Sequence, residues 1–450
     1  MSKSSFKENN CNKASIEGYK RLKVDENMSE NFSKCIDSDD KDSNLSVTIY
    51  EDESDISYVH KSAKTRLTVA SKRSPLVAIN KPLNQHNVLQ EFANNQIPSS
   101  SKTPLKHNET FHRKILQKEP SIVSSFDLLS DELLLHIFQY LPKKALKRLA
   151  QVNSRFARVV EDETLWIRID LANRYITKYA FSRLLPRGFI IMRLAQTNIE
   201  SPIFSPLFNE DGNFKSKLQY LDLSLANVDL NSLAQLLGVC RSLKKLSLEQ
   251  VPLNLDVCKE ISENRNLEVL NLAMCEGITD DCVLVMMSNL QSLIALNISW
   301  TSLTSESIEA IVSLISPSLM RFNISGCRRG FTDITLETLV KRCPNIVELD
   351  VSDCTMLTSV AIENLSKLNK LEYLSLSRCY NIPMTSYLSL NSIKSLMFLD
   401  VFGHISPSGI QMLEKTFKNI GINKFIHSSV ARPTVAPRRT SIWGLRTRDI

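Results

Sequence analysis

One short pattern, L-x-x-L-x-L, occurs eight times along the second half of this chain and constrains its fold more than any other feature. The copies begin 24 to 27 residues apart, at Leu218, Leu243, Leu267, Leu293, Leu319, Ile346, Leu371 and Leu396. A weaker ninth copy runs from Phe189 to Leu194. Because one copy is too short to bury its leucines alone, successive copies must stack on one another. The spacing therefore predicts an α/β solenoid, with one short parallel strand per unit inside and one returning helix outside.

The strand positions between the leucines should face the open side of the predicted sheet, because side chains alternate along a strand. The middle position carries small polar residues, such as Asp350 and Ser375. The position two residues after the last strand leucine is more varied: Leu225, Gln250, Met274, Trp300, Gly326, Asp353, Arg378 and Gly403.

Five large or charged residues of the later units are the candidate binding residues of the repeats. They are Trp300, Arg328, Asp353, Arg378 and Tyr380. Neighbouring strands lie about 4.8 Å apart, so these side chains should lie within roughly 15 Å of one another. An exposed aromatic beside arginines is typical of a protein-binding hot spot. The alternative is a set of unrelated solvated side chains.

The ten cysteines argue against catalysis and metal binding. The chain has no C-x-x-C pair and no cysteine–histidine cluster at zinc spacing. Four cysteines occupy the same place, three residues after the last strand leucine: Cys275, Cys327, Cys354 and Cys379. We interpret them as reduced, buried and small apolar residues. No phosphate-binding loop or nucleophile motif is present either, which predicts a binding protein without cofactor or resident metal.

Residues 126–166 form a separate helical segment. Ser130, followed by two acidic residues, is a typical helix start, and Pro142 should end that first helix. A second helix is predicted to carry Ala145, Leu146, Leu149, Val152 and Phe156, and a third to lie around Val159–Trp166. The first helix is apolar on more than one side, so it requires a partner. An unrelated three-helix bundle is the alternative to a dedicated docking module.

Residues 1–120 differ from the rest in composition, being rich in Ser, Asn, Lys and Asp with isolated apolar residues. Such a segment is predicted to be disordered. Thr103 and, more weakly, Ser74 precede proline and are candidate phosphorylation sites.

No signal peptide or membrane-spanning run is visible, and a net charge of +7 over 450 residues does not favour nucleic-acid binding. These features predict an intracellular protein, in nucleus and cytoplasm.

The last residues, 422–450, are expected to return along the open face of the sheet. Pro433 and Pro437 would keep this tail extended. Ile442 and Trp443 would anchor it near the early units, with its arginines facing an acidic or phosphorylated partner.

The helical segment resembles the F-box, through Leu129-Ser130-Asp131-Glu132-Leu133-Leu134, Ile137-Phe138, Leu141-Pro142, Val152-Asn153-Ser154-Arg155-Phe156 and Asp162-Glu163-Thr164-Leu165-Trp166. Ser130 replaces the usual proline, and Phe156 replaces the usual tryptophan. The repeats resemble cysteine-type leucine-rich repeats. The order is that of F-box/leucine-rich-repeat substrate receptors, and implies a small three-helix F-box followed by a horseshoe with a tail along its concave face. The predicted boundaries are 1–120 for the disordered region, 121–170 for the F-box, 171–421 for the repeats and 422–450 for the tail.

The resemblance also implies partners. The F-box would bind the adaptor subunit of an SCF ubiquitin ligase, and through it cullin and RING subunits, using Leu129, Leu133, Leu134, Ile137, Phe138, Leu141, Pro142, Leu146, Leu149, Val152, Phe156 and Trp166. The late repeats and tail would bind a small cyclin-kinase-regulatory subunit and a phosphorylated cyclin-dependent-kinase inhibitor. The family has an aromatic residue shortly before Ala431; here Phe425 is offset by about two residues and His427 lies nearer that position. A repeat scaffold or inhibitor without ubiquitin transfer is the competing interpretation.

Overall fold

The computed structural model describes residues 125–209, 211–434 and 441–448. The predicted disordered region 1–120, with Ser74 and Thr103, lies outside these residues. A 3-10 helix at Ser125–Leu128 precedes the unit that begins at Leu129 and contains the F-box segment, the repeats and the tail. Within the described residues, no helix has the length and apolar character needed to cross a bilayer.

The F-box segment consists of three short helices, α1 (Asp131–Phe138), α2 (Lys143–Leu149) and α3 (Ser154–Val160), followed by a 3-10 helix at Glu163–Trp166. The Ser130 hydroxyl accepts a hydrogen bond from the Leu133 amide at 3.4 Å, so α1 starts at the predicted cap. Leu134, Phe138 and Leu146 form the buried centre of the segment.

The predicted bounds of the second and third helices are wrong. Helix α2 ends at Leu149, Val152 lies in the following turn, and Phe156 belongs to α3. The reason is Asn153, whose side-chain oxygen accepts a hydrogen bond from the Phe156 amide at 2.7 Å and caps a new helix there. The predicted helix around Val159–Trp166 is therefore divided between the end of α3 and the 3-10 helix.

The repeats build one parallel sheet of eleven strands, which confirms the predicted fold class of helices beside a long parallel sheet. Its strands, in spatial order, are β1 (Arg168–Asp170), β3 (Ile191–Arg193), β5 (Tyr220–Asp222), β6 (Lys245–Ser247), β7 (Val269–Asn271), β8 (Ala295–Asn297), β9 (Arg321–Asn323), β10 (Glu348–Asp350), β11 (Tyr373–Ser375), β12 (Phe398–Asp400) and β13 (Gly421–Ile422). Strand β3 is the weaker ninth copy. Strands β1 and β13 extend the sheet at its two ends and lack the full leucine pattern, so the pattern did not predict them.

One helix per unit covers the other side of the sheet. These helices are α4 (Ala180–Leu184) with a 3-10 helix at Leu185–Arg187, α5 (Leu230–Gly238), α6 (Leu255–Ser262), α7 (Asp280–Asn289), α8 (Ser305–Leu314), α9 (Asp333–Arg342), α10 (Ser359–Leu365), α11 (Met384–Tyr387) with a 3-10 helix at Leu388–Ser392, and α12 (Pro407–Thr416). A separate parallel pair joins β2 (Tyr175–Ile176) to β4 (Asn198–Ile199). Capping side chains, including Thr279 and Thr304, fix where the helices begin.

The repeated cysteines lie inside the turns between units. The Cys275 thiol donates to the Leu248 carbonyl at 3.1 Å, and the Cys379 thiol donates to the Val351 carbonyl at 3.3 Å. Burial raises the pKa of both thiols to about 12. They are therefore neutral groups that connect adjacent units. In the part of the chain that the structure describes, no cluster of histidine, cysteine or carboxylate side chains could hold a metal ion.

The tail ends in a small antiparallel hairpin, β14 (Ser441–Ile442) and β15 (Leu445–Arg446). Trp443 and Gly444, with φ of 46° and 79°, form the two-residue turn, as hairpins of this twist require. Ile442 and Trp443 are buried against Ile191, Val269 and Ala295, the first residues of early strands. The Trp443 indole N–H donates to the Ala431 carbonyl at 3.1 Å.

Beyond the hairpin, the tail reaches the first strand of the sheet. The Arg448 guanidinium lies 2.8 Å from the Asp170 carboxylate, which also accepts from Arg193 at 3.2 Å and from the Thr447 hydroxyl at 3.3 Å. Burial by itself would raise the pKa of Asp170. Hydrogen bonds from Arg448 and the Ala172 amide, with the charge of Arg193, lower that pKa below its ordinary value. The first strand and the last described residue of the tail thus share one charged cluster.

We expect Trp443→Ala to release the hairpin from the sheet. Truncating a buried tryptophan costs about 3–5 kcal/mol, which is more than a short hairpin can lose without detaching. Hydrogen exchange should then show loss of protection at residues 441–448 and retained protection in the strands β5–β10. Ile426→Ala, on the same tail but at a side chain that is 70 % exposed, is the matched control. It should change neither the protection at residues 441–448 nor that in the strands. Equal protection in Trp443→Ala and the unchanged protein would contradict the anchoring role.

Candidate functional site

The candidate residues Trp300, Asp353 and Arg378 occupy a backbone position with a special conformation. Each has a left-handed backbone, with φ of 57°, 61° and 59°, at the turn that follows its strand. Other units have Leu225, Gln250 or Met274 there, or the glycines Gly326 and Gly403. A side chain in this conformation costs about 1–2 kcal/mol relative to glycine. Strained positions of this kind often have a functional role, so their large side chains are candidates for binding.

The two glycines in this column make room for the large neighbour of the preceding unit. A Cβ atom at Gly326 would lie 2.7 Å from Cδ2 of Trp300, and one at Gly403 would lie 2.9 Å from Cγ of Arg378. Both distances are too short for a real contact. Trp300 and Arg378 therefore lie along the sheet edge, each over the bare backbone of the next unit.

Charged side chains connect these two residues. The Arg378 Nε atom lies 3.0 and 2.9 Å from the two carboxylate oxygens of Asp353. The guanidinium group of Arg328 lies 3.7 Å from the same carboxylate. The Arg328 guanidinium lies 5.5 Å from the Trp300 ring centroid, within the range of a cation–π contact. One carboxylate thus faces two guanidinium groups, and the group carries a net charge of +1. The side chains of Arg328 and Arg378 are 61 % and 41 % exposed, whereas that of Asp353 is 4 % exposed, so the positive charge faces solvent.

Tyr380 joins the same group through a histidine that the sequence analysis did not select. The Tyr380 ring lies 6.1 Å from the ring of His404 in an edge-to-face arrangement. The His404 Nδ1 atom accepts from the Arg378 amide at 3.1 Å, and its Nε2 atom is 2.8 Å from the Tyr387 hydroxyl. Burial lowers the pKa of His404, against a smaller opposite effect of the Phe402 carbonyl. A neutral His404 therefore supports the turn that carries Arg378.

A cavity of about 410 Å³ lies between the late strands and the first part of the tail. We call it the tail chamber, and its lining includes Trp300, Glu348, Asp350, Tyr373, Arg378, Phe398, Asp400, Phe425, His427 and Arg432. Tyr373 and Phe398 stack with ring centroids 5.0 Å apart, and Phe425 meets Phe398 edge-on at 5.0 Å. The chamber brings the tail candidates Phe425 and His427 to the same cavity as Trp300 and Arg378.

Phe425 and His427 have different environments at the chamber. Phe425 is half-buried against the sheet aromatics, whereas His427 is exposed. The offset aromatic of this chain is thus used to hold the tail on the sheet. His427, nearer the family's aromatic position, is the more exposed of the two side chains.

The first residues of the strands form a further outward-facing column, which was not predicted. This column reads Tyr220, Lys245, Val269, Ala295, Arg321, Glu348, Tyr373 and Phe398. Its early members receive the tail hairpin, and Tyr373 and Phe398 form the aromatic wall of the chamber. The signal was present in the sequence, because apolar and aromatic side chains at outward strand positions require something to cover them.

The F-box residues divide into a buried and an accessible group. Leu134, Phe138, Leu146 and Trp166, all predicted contact residues, are almost fully buried. They form the core and hold the helices together, which corrects their assignment to the contact surface. Leu133, Ile137 and Val152 are 53 %, 41 % and 64 % exposed, and Pro142 is exposed as well. Exposed Tyr140 was missed, although it follows the same helix. Leu129, Leu141, Leu149 and Phe156 are partly buried.

We expect Asp353→Asn to loosen the turns that carry Trp300 and Arg378. Asparagine keeps the shape but removes the charge that pairs with Arg378 and Arg328. Hydrogen bonds to charged groups contribute about 1.5–3 kcal/mol, and the partial exposure of both arginines puts the loss at the lower end. The free energy of unfolding in urea should fall by about 1–2 kcal/mol. Asp211→Asn, in an exposed loop, should leave it unchanged; an equal loss in both variants would show that Asp353 has no special role.

Comparison with known families agrees with this architecture. A model of the SKP2 LRR domain matches residues 179–450, and an F-box-like model matches residues 129–172. The first match covers the repeats with the tail, and the second covers α1–α3 with the first strand. The chain therefore belongs to the family of F-box proteins whose leucine-rich-repeat domain is of the SKP2 type.

Proposed function

We propose that this protein is the substrate-recognition subunit of an SCF ubiquitin ligase. The observation that carries the proposal is the junction of an F-box-like segment with SKP2-type repeats in one chain. The F-box implies binding to the SCF adaptor and, through it, to the cullin complex. The repeats are then available to hold a substrate. Such receptors are generally non-catalytic, and their effect is to raise the concentration of an acceptor lysine near the conjugating enzyme.

The apolar face of α1 supports adaptor binding. Leu133 and Ile137 are four residues apart, so their exposed side chains lie on the same face of the helix. Asp131, on the helix's first turn, binds Arg155 and Arg158 of α3 at 2.8 and 2.6 Å. The apolar face is therefore held on a fixed three-helix base. A partner helix with complementary apolar side chains fits such a face.

Replacing Leu133 and Ile137 together by aspartate should abolish co-purification of adaptor and cullin. Two charges in a buried contact cost several kcal/mol, which exceeds what a small interface can lose. The control is Ile334→Asp, at an apolar residue of α9 that is 76 % exposed and remote in sequence from the F-box. If adaptor and cullin still co-purify with the double variant, the assignment of this segment as an adaptor-binding F-box fails. If they co-purify with neither the variant nor the unchanged protein, the protein is a scaffold or inhibitor rather than an SCF subunit.

We further propose that the late repeats and the tail chamber bind a small cyclin-kinase-regulatory subunit together with a phosphorylated cyclin-dependent-kinase inhibitor. The support is the exposed positive charge of Arg328 and Arg378, the exposed Trp300 and Tyr380, and the adjoining chamber with His427. Guanidinium groups recognise phosphate and carboxylate groups well. This function would place the protein in control of the G1/S transition, in nucleus and cytoplasm.

Trp300→Ala and Arg378→Ala should each reduce capture of the regulatory subunit and the phosphorylated inhibitor, by about tenfold or more for a hot-spot side chain. Adaptor binding should remain unchanged, because the F-box is not altered. Leu225→Ala is the matched control, since Leu225 occupies the same left-handed turn position in an early unit and is 44 % exposed. Quantitative comparison of the co-purified proteins measures the effect. Undiminished capture by both variants would refute this assignment and leave the SCF proposal intact.

A further inference from the structure

Two rows of positively charged side chains meet where the F-box segment joins the repeats. One row is Lys143 and Lys147 on α2, and the other is Arg183 on α4 and Arg187 on the 3-10 helix that follows. Lys143 and Lys147 are four residues apart within one α-helix, which places both side chains on the same side. Arg183 and Arg187 are also four residues apart, across the change from α-helix to 3-10 helix. We call these four residues the junction surface.

Trp166, the last residue of the F-box 3-10 helix, joins the two rows. The Arg187 guanidinium lies 4.3 Å from the Trp166 ring centroid, and the Lys143 ammonium lies 5.7 Å from it. Lys143 also donates to the Leu165 carbonyl at 2.6 Å. One cation from each row is therefore fixed beside the same buried ring. The geometry of the junction surface is set by packing rather than by chance approach of mobile side chains.

Three of the four junction cations lack an acidic counterion among the described residues. Among the described residues, Lys147, Arg183 and Arg187 make no ion pair with a carboxylate. Glu163 lies beside Gly188, next to Arg187 in the chain, but it is paired with Lys217. Burial lowers the pKa of Lys147, and the charges of Arg187 and Arg183 lower it further. Lys147 therefore experiences the positive charge of the other row.

This arrangement is unfavourable for folding and favourable for binding an anion. Like charges four residues apart destabilise helical structure, and the two rows repel each other across the junction. A bound anion would remove both effects. Arginine and lysine side chains held in one place bind carboxylate and phosphate through short, charge-assisted hydrogen bonds.

We propose that the junction surface binds an acidic segment of a partner protein, through clustered carboxylates or a phosphorylated side chain. Nucleic acid fits less well for two reasons. Affinity for nucleic acid grows with the number of phosphates that a protein neutralises, and this surface has four cations where an extended nucleic-acid site has about 6–10 phosphate contacts. Its aromatic ring is buried beneath the cations and offers no base a surface on which to stack. The junction surface shares no residue with the late-repeat surface or with the apolar face of α1, and its ligand would bridge the F-box and the first repeats.

The test uses the full-length protein and three fluorescent twelve-residue peptides measured by anisotropy. The first peptide is rich in glutamate. The second is the same peptide with its central residue replaced by phosphoserine, and the third has glutamine in place of every glutamate. We expect both acidic peptides to bind and the glutamine peptide not to bind. Affinity should fall as salt rises, because exposed charges are increasingly screened above about 0.1 M ionic strength. The tighter of the two acidic peptides identifies phosphate or carboxylate as the preferred group.

Lys147→Gln combined with Arg183→Gln should weaken acidic-peptide binding by about tenfold or more, since both side chains are exposed and their loss should not unfold the protein. The matched control is Lys415→Gln with Lys418→Gln, which removes the same charge from exposed positions at the far end of the repeats. An equal loss in the control pair would overturn the proposal, as would binding of the glutamine peptide.

Two further outcomes would also overturn it. A labelled twelve-nucleotide DNA that binds more tightly than either peptide would identify a nucleic-acid surface instead. Loss of adaptor co-purification in the Lys147–Arg183 variant would show that these cations belong to the adaptor interface. Retained adaptor binding with lost peptide binding supports a separate site, whatever the outcome of the Leu133–Ile137 experiment.

Discussion

The in-register pairing of very short parallel strands is the constraint on which the rest of this structure depends. Each repeat contributes only three residues to the sheet, and equivalent residues of successive units lie directly opposite one another, as Leu349 does with Leu374 and Phe322. The leucines between the outward positions are fully buried and fix this register. A shift by one residue would turn every leucine outward. Side chains from distant parts of the sequence can therefore form straight columns on the open face, and the candidate sites are built on those columns.

The left-handed turn after each strand converts one of these columns into a binding edge. The turn is needed in every unit to leave the sheet, and glycine would satisfy it at the lowest cost. In the later units this position instead carries Trp300, Gly326, Asp353, Arg378 and Gly403, so a glycine follows both Trp300 and Arg378. Gly326 and Gly403 are the positions over which Trp300 and Arg378 lie. The strain at the large residues is thus accompanied by open backbone at the next turn, and the result is a row of side chains held parallel to the surface.

Much of this could be predicted from the sequence, because the leucine pattern repeats with so little variation. The eight strands, the capped start of α1 and the buried cysteines all follow from local spacing. The predicted extent of the second F-box helix was wrong, because a single side chain, Asn153, starts a new helix inside an otherwise continuous apolar pattern. The buried state of Leu134 and Phe138 could not be separated from the exposure of Leu133 and Ile137, since all four are apolar and the helix has apolar residues on several sides.

The tail chamber depends on contacts between distant parts of the sequence, which a local pattern does not predict. The outward aromatic side chains of Tyr373 and Phe398 indicate that something covers them, but the sequence does not indicate that the covering residue is Phe425 of the tail. The tail candidates Ile442 and Trp443 were recognisable, because two large apolar residues in a basic segment require burial. The early units were predicted as the region they reach, but the individual partners Ile191, Val269 and Ala295 were not, since nothing local indicates which strand residues the tail meets.

The contact between Arg448 and Asp170 has a consequence for how this protein folds. A repeat array is stabilised mainly by contacts between neighbours, so its ends can unfold independently and its units can form in the order of synthesis. Here two residues 278 positions apart share an ion pair, and the first strand obtains this set of partners only after Arg448 has been synthesised. Such a contact opposes fraying at both ends of the array and couples them. The tail therefore acts on the repeats as a cross-link acts on a linear polymer.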